Sequence, residues 1–349
     1  MTGTVIRALV ASFLIGGAAL AGVVAWLGVE ELQHLSRIEL PWLAAALGFL
    51  LASFLFAGMR LAMLVRRTGA PLRLRHAVRC HVLGLFASTV TPGGSGGMPA
   101  LALSLTRQGV PSGTAWSSGV AAIAADTVFY GWSLPVALLV LDRSVTLPNP
   151  VVLRTAGLIV SVGGLAVAYL LAFRLAWALP LSRWALRGRL ARHREGVERF
   201  LTNLLEAHGL LHGAPWSWHA RFHLLVAASW GAFFAVLWAS ARGFGLPVDP
   251  WTVIAALVLV AGLGSVVPTP GGSGFFEFGA SLALVAQGAR GGVVGAVVVW
   301  RLISHYALFL IGPPLGGYLW ARHGGPPAGP DEPAEVDGPD EPDEAPPPT

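Results

Sequence analysis

Apolar runs near twenty residues long recur over roughly the first 320 positions, separated by short polar stretches, and about twenty apolar residues are what a helix needs to cross a bilayer. They predict spans at about 5–27, 40–64, 113–141, 150–173, 222–241 and 292–321. Two further apolar stretches, about 76–106 and 251–288, are each interrupted. The first break reads Thr91-Pro92-Gly93-Gly94-Ser95-Gly96-Gly97-Met98-Pro99, and the second Pro268-Thr269-Pro270-Gly271-Gly272-Ser273-Gly274-Phe275-Phe276-Glu277. A Pro-Gly-Gly-Ser-Gly run cannot continue a helix, because proline lacks the amide donor and glycine carries a large entropic cost. Irregular backbone at membrane depth survives only where protein or a water-filled cavity covers it. Two such breaks, one in each half, point to a substrate site.

Charge sets the orientation. All 23 basic residues are arginine. The segment after the second span carries Arg66, Arg67, Arg73, Arg75 and Arg79 without an acid. The long segment 174–221 carries eight arginines against three acids. The segment between the first two spans carries Glu30, Glu31 and Glu39 against Arg37. Arginine-rich loops face the cytoplasm. If 76–106 crossed the membrane, 174–221 would lie outside. A re-entrant hairpin over 76–106 keeps both basic segments inside, and the second hairpin then enters from the outer face. The expected fold is all-α: a polytopic integral membrane protein of about six spans plus two re-entrant helical hairpins. The halves, about 40–141 and 222–321, form an inverted repeat whose tips approach near the midplane. Both termini are expected in the cytoplasm of a multi-pass plasma-membrane protein.

Composition agrees. Only 12% of the residues are charged, where a soluble domain has about 25%. The first run shows no outstanding cleavage site and reads as a retained helix rather than a signal peptide. The single Cys80 excludes an internal disulfide. Residues 324–349 hold eight acids and no base among prolines and glycines, so the expected division is a membrane domain over 1–323 and a disordered tail over 324–349. The basic balance does not indicate nucleic acid, because the arginines sit between spans. Around Arg192–Leu205 the cytoplasmic segment has amphipathic spacing, which suits contact with anionic headgroups. A homo-oligomer is compatible with the sequence.

The candidate chemistry lies at the breaks. Pro92, Gly93, Gly94, Ser95, Gly96 and Gly97, with Pro270, Gly271, Gly272, Ser273 and Gly274, let backbone approach a ligand. Each following half-helix turns its free amides and positive end toward the site, which suits phosphate or carboxylate. The competing reading is that the glycines only allow tight helix packing. Asp126 sits some 13 residues into its span, ~20 Å at 1.5 Å per residue. Arg301 lies well inside the last span, and Glu277 follows the second tip. A charge at mid-bilayer costs ~2.5–3.5 kcal/mol on insertion scales, so such residues face the interior and pair. Either Arg301 neutralises an anionic headgroup while Asp126 and Glu277 tune the pocket, or Arg301 pairs with Glu277 or Asp126 as internal glue. Arg60 reads as a side chain snorkelling to the cytoplasmic surface. His305, one turn past Arg301, reads as a hydrogen-bonded neighbour rather than a metal ligand. The tryptophans at span ends form an aromatic belt. No HExxH, GxSxG, paired CxxC or Walker loop is present, which argues against an enzyme, and no cofactor is implied.

With Thr91-Pro92, Ser95-Gly96-Gly97-x-Pro99, Asp126 with Tyr130, Pro268-Thr269-Pro270-Gly271, Ser273-Gly274, Glu277, Trp300-Arg301, His305-Tyr306 and Gly312, residues 5–321 resemble the membrane (flippase) domain of lysylphosphatidylglycerol synthases and similar stand-alone proteins. Two positions depart from the pattern: Met98 replaces a polar residue of many relatives, and Phe275 replaces a glycine. The resemblance implies a membrane domain moving aminoacylated or other phospholipids between leaflets, with membrane lipids as partners and no synthase domain. A membrane-embedded enzyme acting on a lipid-linked sugar or phosphate is the alternative.

Overall fold

The computed structural model describes residues 2–322 apart from 35–37, 146–148, 178, 181, 183–193, 265–266 and 268. The expected acidic tail, and part of the expected amphipathic segment, lie outside the described residues.

Every regular element among them is helical. In chain order these are α1 (Thr2–Leu27), α2 (Leu40–Arg67), α3 (Leu74–Val90), α4 (Gly97–Thr106), α5 (Ser112–Ser144), α6 (Pro150–Phe173), α7 (Arg194–His212), α8 (Trp216–Gly243), α9 (Pro250–Gly264), α10 (Phe275–Val285), α11 (Val293–Arg301) and α12 (Ala307–Arg322). A π-helical turn, Leu302–Tyr306, joins the last two. Five helices among the described residues are long and apolar enough to cross a membrane: Leu40–Arg67, Ser112–Ser144, Pro150–Leu170, Trp216–Gly243 and Val293–Tyr318. The 26-residue α1 occupies the first expected span, with Leu14–Leu27 a shorter apolar segment. The chain is an all-α polytopic membrane protein.

The interrupted stretches are hairpins of two short helices. At 1.5 Å per residue α3 rises about 26 Å and α4 about 15 Å, so neither arm matches the ~30 Å of hydrocarbon. Their arms touch where side chains are smallest: a Cβ on Gly84 of α3 would lie 3.3 Å from Gly97 O and from Leu101, and one on Gly279 of α10 would lie 2.7 Å from Val260 of α9.

Contacts at the helix ends fix where each hairpin enters. The Glu39 amide at the start of α2 donates to Gly243 O at the end of α8 at 2.8 Å, and Trp42 meets Trp238 edge-on at 5.4 Å. Arg67, ending α2, donates through Nη2 to Gly213 O at 3.0 Å, just before α8 begins. Hence α2 and α8 run antiparallel. The α3–α4 hairpin starts and finishes at the face holding Arg67 and α7. The α9–α10 hairpin starts and finishes at the opposite face. The halves also exchange as a pair: α2 packs on α3 as α8 on α9, α3 on α4 as α9 on α10, α4 on α5 as α10 on α11, and α5 on α9 as α12 on α3. Corresponding helices that oppose one another in direction are the mark of an inverted repeat.

Two connectors make contacts that the sequence did not place. Glu31 does not remain a solvated loop charge: it is 6% exposed, and its carboxylate accepts the amides of Gly291 (2.8 Å), Gly292 (2.7 Å) and Val294 (3.3 Å). It caps α11, satisfying amides with no partner inside that helix. In α7, Leu204, Ala207 and Leu211 are buried. Phe200 meets Trp116 of α5 edge-on at 5.9 Å, so one face of α7 packs on the membrane body.

Candidate functional site

The two tips adopt one backbone turn. Gly93 has φ 59°, ψ 18°, and Gly271 has φ 57°, ψ 21°. Gly94 and Gly272 follow at φ 70° and 65°. The amides of Gly94 and Gly272 donate to Thr91 O and Thr269 O, each at 3.1 Å. Two consecutive left-handed residues require glycine in practice, since a Cβ there costs roughly 1–2 kcal/mol per residue. The two turns touch each other inside the bundle, as the inverted repeat predicts.

Past the turns the tips diverge. At the second tip, Glu277 sits in the first turn of α10 and is fully buried. One carboxylate oxygen accepts the Gly274 amide at 2.7 Å. The other accepts Arg301 Nε at 2.7 Å. Arg301, 4% exposed, also reaches Ser273 Oγ at 3.3 Å and Gly271 O at 3.5 Å through Nη2. A Cβ on Gly271 would enter the His305 ring, and one on Gly16 of α1 would lie 2.6 Å from the Tyr306 hydroxyl and 3.3 Å from Glu277 Oε1. Thus α1, the second tip, α10, the end of α11 and the π turn close around one ion pair. Of the two arrangements open to Arg301, the structure has the pair with Glu277. Burying such a pair is costly unless the remaining lone pairs and protons are satisfied, and Gly274, Ser273 and Gly271 do this here. His305 covers the turn, and no group of three or more His, Cys, Asp or Glu suited to a metal occurs among the described residues.

The first tip faces space instead. A cavity of about 560 Å³ is bounded by Gly93, Gly94, Ser95 and Gly97 of the tip, Arg60 of α2, His81 of α3 and Asp126 of α5. Gly93 and Ser95 are exposed, whereas Gly272 and Ser273 are buried. Gly96 turns its amide back to Thr91 Oγ1 at 2.8 Å. Opposite the tip, Arg60 and Asp126 form a two-contact ion pair, the second contact running from Nη2 to Oδ2 at 3.1 Å. Trp230 of α8 donates its indole N–H to Asp126 Oδ1 at 2.8 Å and lies parallel to Phe129 at 6.2 Å. Arg60 therefore does not snorkel. It is 6% exposed, because its guanidinium finds a carboxylate in the bundle, and mid-membrane charges that pair face inward.

The residues singled out from the sequence thus fall into two groups. Gly93, Gly94, Ser95, Gly97 and Asp126 border the cavity, with Pro92 opening the turn and Gly96 bonded within the tip. Gly271, Ser273, Gly274, Glu277, Arg301 and His305 form the packed centre at the second tip, with Pro270 opening that turn and Gly272 buried in it. Arg301 and Glu277 are not among the cavity's walls. Arg60 and Trp230 were not among the sequence candidates. Trp230 does carry one signal: it stands 14 residues into α8, where an interfacial belt cannot place a tryptophan.

Chemically, the cavity wall offers a guanidinium with donors in a fixed fork, which matches the geometry of phosphate or carboxylate oxygens. It also offers one carboxylate, the backbone of a glycine turn and the Ser95 hydroxyl. Its volume falls within the range of small-molecule sites, about 300–1,000 Å³.

No curated protein matches the chain. The family model described as lysylphosphatidylglycerol synthase TM region matches residues 9–312, a stretch that includes both tips and both ion pairs. The protein belongs to the family of the lysylphosphatidylglycerol synthase TM region.

Proposed function

We propose that this protein moves a phosphate-bearing lipid between leaflets of the plasma membrane, with its headgroup held in the cavity beside the first tip. The observation that carries this reading is the cavity itself: a glycine turn and Ser95 on one side, Arg60 and Asp126 on the other. Arg60 contacts phosphate oxygens, the tip backbone approaches the headgroup closely, and the acyl chains remain among the apolar helix faces. Alternating access comes from rocking the two inverted halves about the touching tips. The face with Arg66, Arg67 and α7 is cytoplasmic on the positive-inside rule, which places both termini in the cytoplasm. The polar side of α7 meets anionic headgroups there. The membrane region carries out transport, not covalent chemistry on the lipid, and an aminoacylated phospholipid is one candidate cargo.

Purified protein in vesicles, with chain-labelled phosphatidylglycerol, phosphatidic acid and lysylphosphatidylglycerol as probes, tests this directly. At least one probe is expected to change leaflets faster than in protein-free vesicles. Arg60→Met is expected to slow that movement at least tenfold. Equal rates with and without protein for every probe would sink the proposal, as would covalent alteration of the lipid in place of movement.

A further inference from the structure

The cavity already contains a complete ion pair, and this constrains how an anion can use it. Arg60 donates through both terminal nitrogens to the two carboxylate oxygens of Asp126. The side chains are 8% and 27% exposed, respectively. A phosphate that takes the Nη1–Nη2 face of Arg60 must open the pair, because Asp126 holds both terminal nitrogens on that face. Asp126 would then be a carboxylate without a counterion, partly buried at membrane depth, a state proteins avoid by neutralising the group. Among the described residues no second arginine pairs with it. Arg60 faces Asp126 from α2, His81 from α3 and Tyr130 from its own helix, with the Trp230 indole from α8. α4 and α9 contain no titratable residue. On α6, Arg154 pairs with Asp142. The charged residues of α7 lie at the Gly113–Trp116 end of α5, some 15 Å along the helix from Asp126 at 1.5 Å per residue.

We infer that each anionic lipid headgroup enters this cavity together with one proton, which Asp126 accepts as Arg60 leaves it for the phosphate. This rests on the reading of the cavity as the headgroup site. The step is balanced: the Arg60–Asp126 pair, a phosphate anion and a proton become an Arg60–phosphate pair and a neutral Asp126 carboxyl group. On release to the other leaflet the ion pair re-forms and the proton departs with the lipid. Trp230 can keep its bond to Oδ1 throughout, since a neutral carboxyl still accepts at that oxygen. It comes from the other half of the repeat, so the proton state of Asp126 is felt across the interface that must rock. The net movement is one anion and one proton, without net charge.

That stoichiometry separates two driving forces. Protein is placed in phosphatidylcholine vesicles carrying a trace of chain-labelled phosphatidylglycerol or phosphatidic acid, and the steady-state leaflet distribution is read. A pH difference should bias the distribution toward the alkaline side, up to about tenfold per unit, the limit for one proton per lipid. Nigericin should abolish the bias. A potassium diffusion potential set with valinomycin should leave the distribution unchanged, whereas a lipid crossing as a bare monoanion would be biased by about fiftyfold per 100 mV. Asp126→Asn should exchange the two behaviours: response to potential and none to pH. If the wild type moves lipid but follows potential and ignores the pH difference, proton coupling is wrong and the headgroup site stands. If neither lipid moves under any condition, proton coupling is wrong, and the headgroup site falls with it when lysylphosphatidylglycerol does not move either. The wild-type measurement decides even if the variant does not fold.

Discussion

Eight residues after Thr269 the second tip has Glu277, and eight residues after Thr91 the first has Pro99. The turns before them have the same dihedral angles, so the later divergence traces to these downstream residues. Glu277 holds the Gly274 amide and Arg301 together, and the second tip closes into a centre with no room for a Cβ at Gly271. Pro99 offers neither an acceptor side chain nor a donor. The first tip is closed by Thr91, whose hydroxyl accepts the Gly96 amide, and a Cβ on its Gly93 would meet nothing within 4 Å. The ionic partners of the first half sit instead on two full spans, α2 and α5, across a cavity. One sequence motif thus gives a fastened tip and an open one, according to where the carboxylate stands.

Removing each carboxylate in turn puts the most weight on this contrast. Glu277→Gln leaves Arg301 buried with uncompensated charge and is expected to cost ~3–5 kcal/mol of stability. Asp126→Asn opens a pair that faces a cavity and is expected to cost less than about 2 kcal/mol. Thermal unfolding in detergent micelles compares them, and equal losses would show that the tips are equally fastened. Next in size are the glycines of the shared turn. Alanine at Gly271 meets the His305 ring as well as a left-handed φ, for an expected loss of ~2–4 kcal/mol. Alanine at Gly93 carries the dihedral strain alone, roughly 1–2 kcal/mol, so the same assay should rank G271A well below G93A. The finest test uses the serines. Ser273→Ala removes an acceptor of Arg301 and should cost about 1 kcal/mol. Ser95→Ala should stay within ~0.5 kcal/mol in stability while altering lipid movement, because Ser95 borders the cavity.

Much of the architecture was readable from spacing. The two Pro-Gly-Gly-Ser-Gly breaks, with the arginine-rich segments on one side, were enough to derive hairpins entering from opposite faces. The pairing of the charges was not readable. Arg60 lies six residues before Arg66 near the end of an apolar run, a position that a snorkelling side chain explains equally well in one dimension. Its partner is 66 residues away, and no local periodicity links them. Glu31 was equally opaque: a glutamate between spans reads as solvated, and only folding brings α11 within its reach, some 260 residues on. Arg301 and Glu277 are 24 residues apart with a hairpin arm between them, and there the sequence narrowed the partner of Arg301 to Glu277 or Asp126.

The π turn at Leu302–Tyr306 adds a residue to the last helix just after Arg301. At 3.6 residues per turn, one residue shifts the angular phase of everything beyond it by about 100°. The helix can therefore aim Arg301 at the second tip and still bring Gly312 beneath Phe86 of α3, two targets set by different neighbours. A straight rod would satisfy one and misalign the other. The irregularity works as a vernier, fitting a single helix to both hairpins at once.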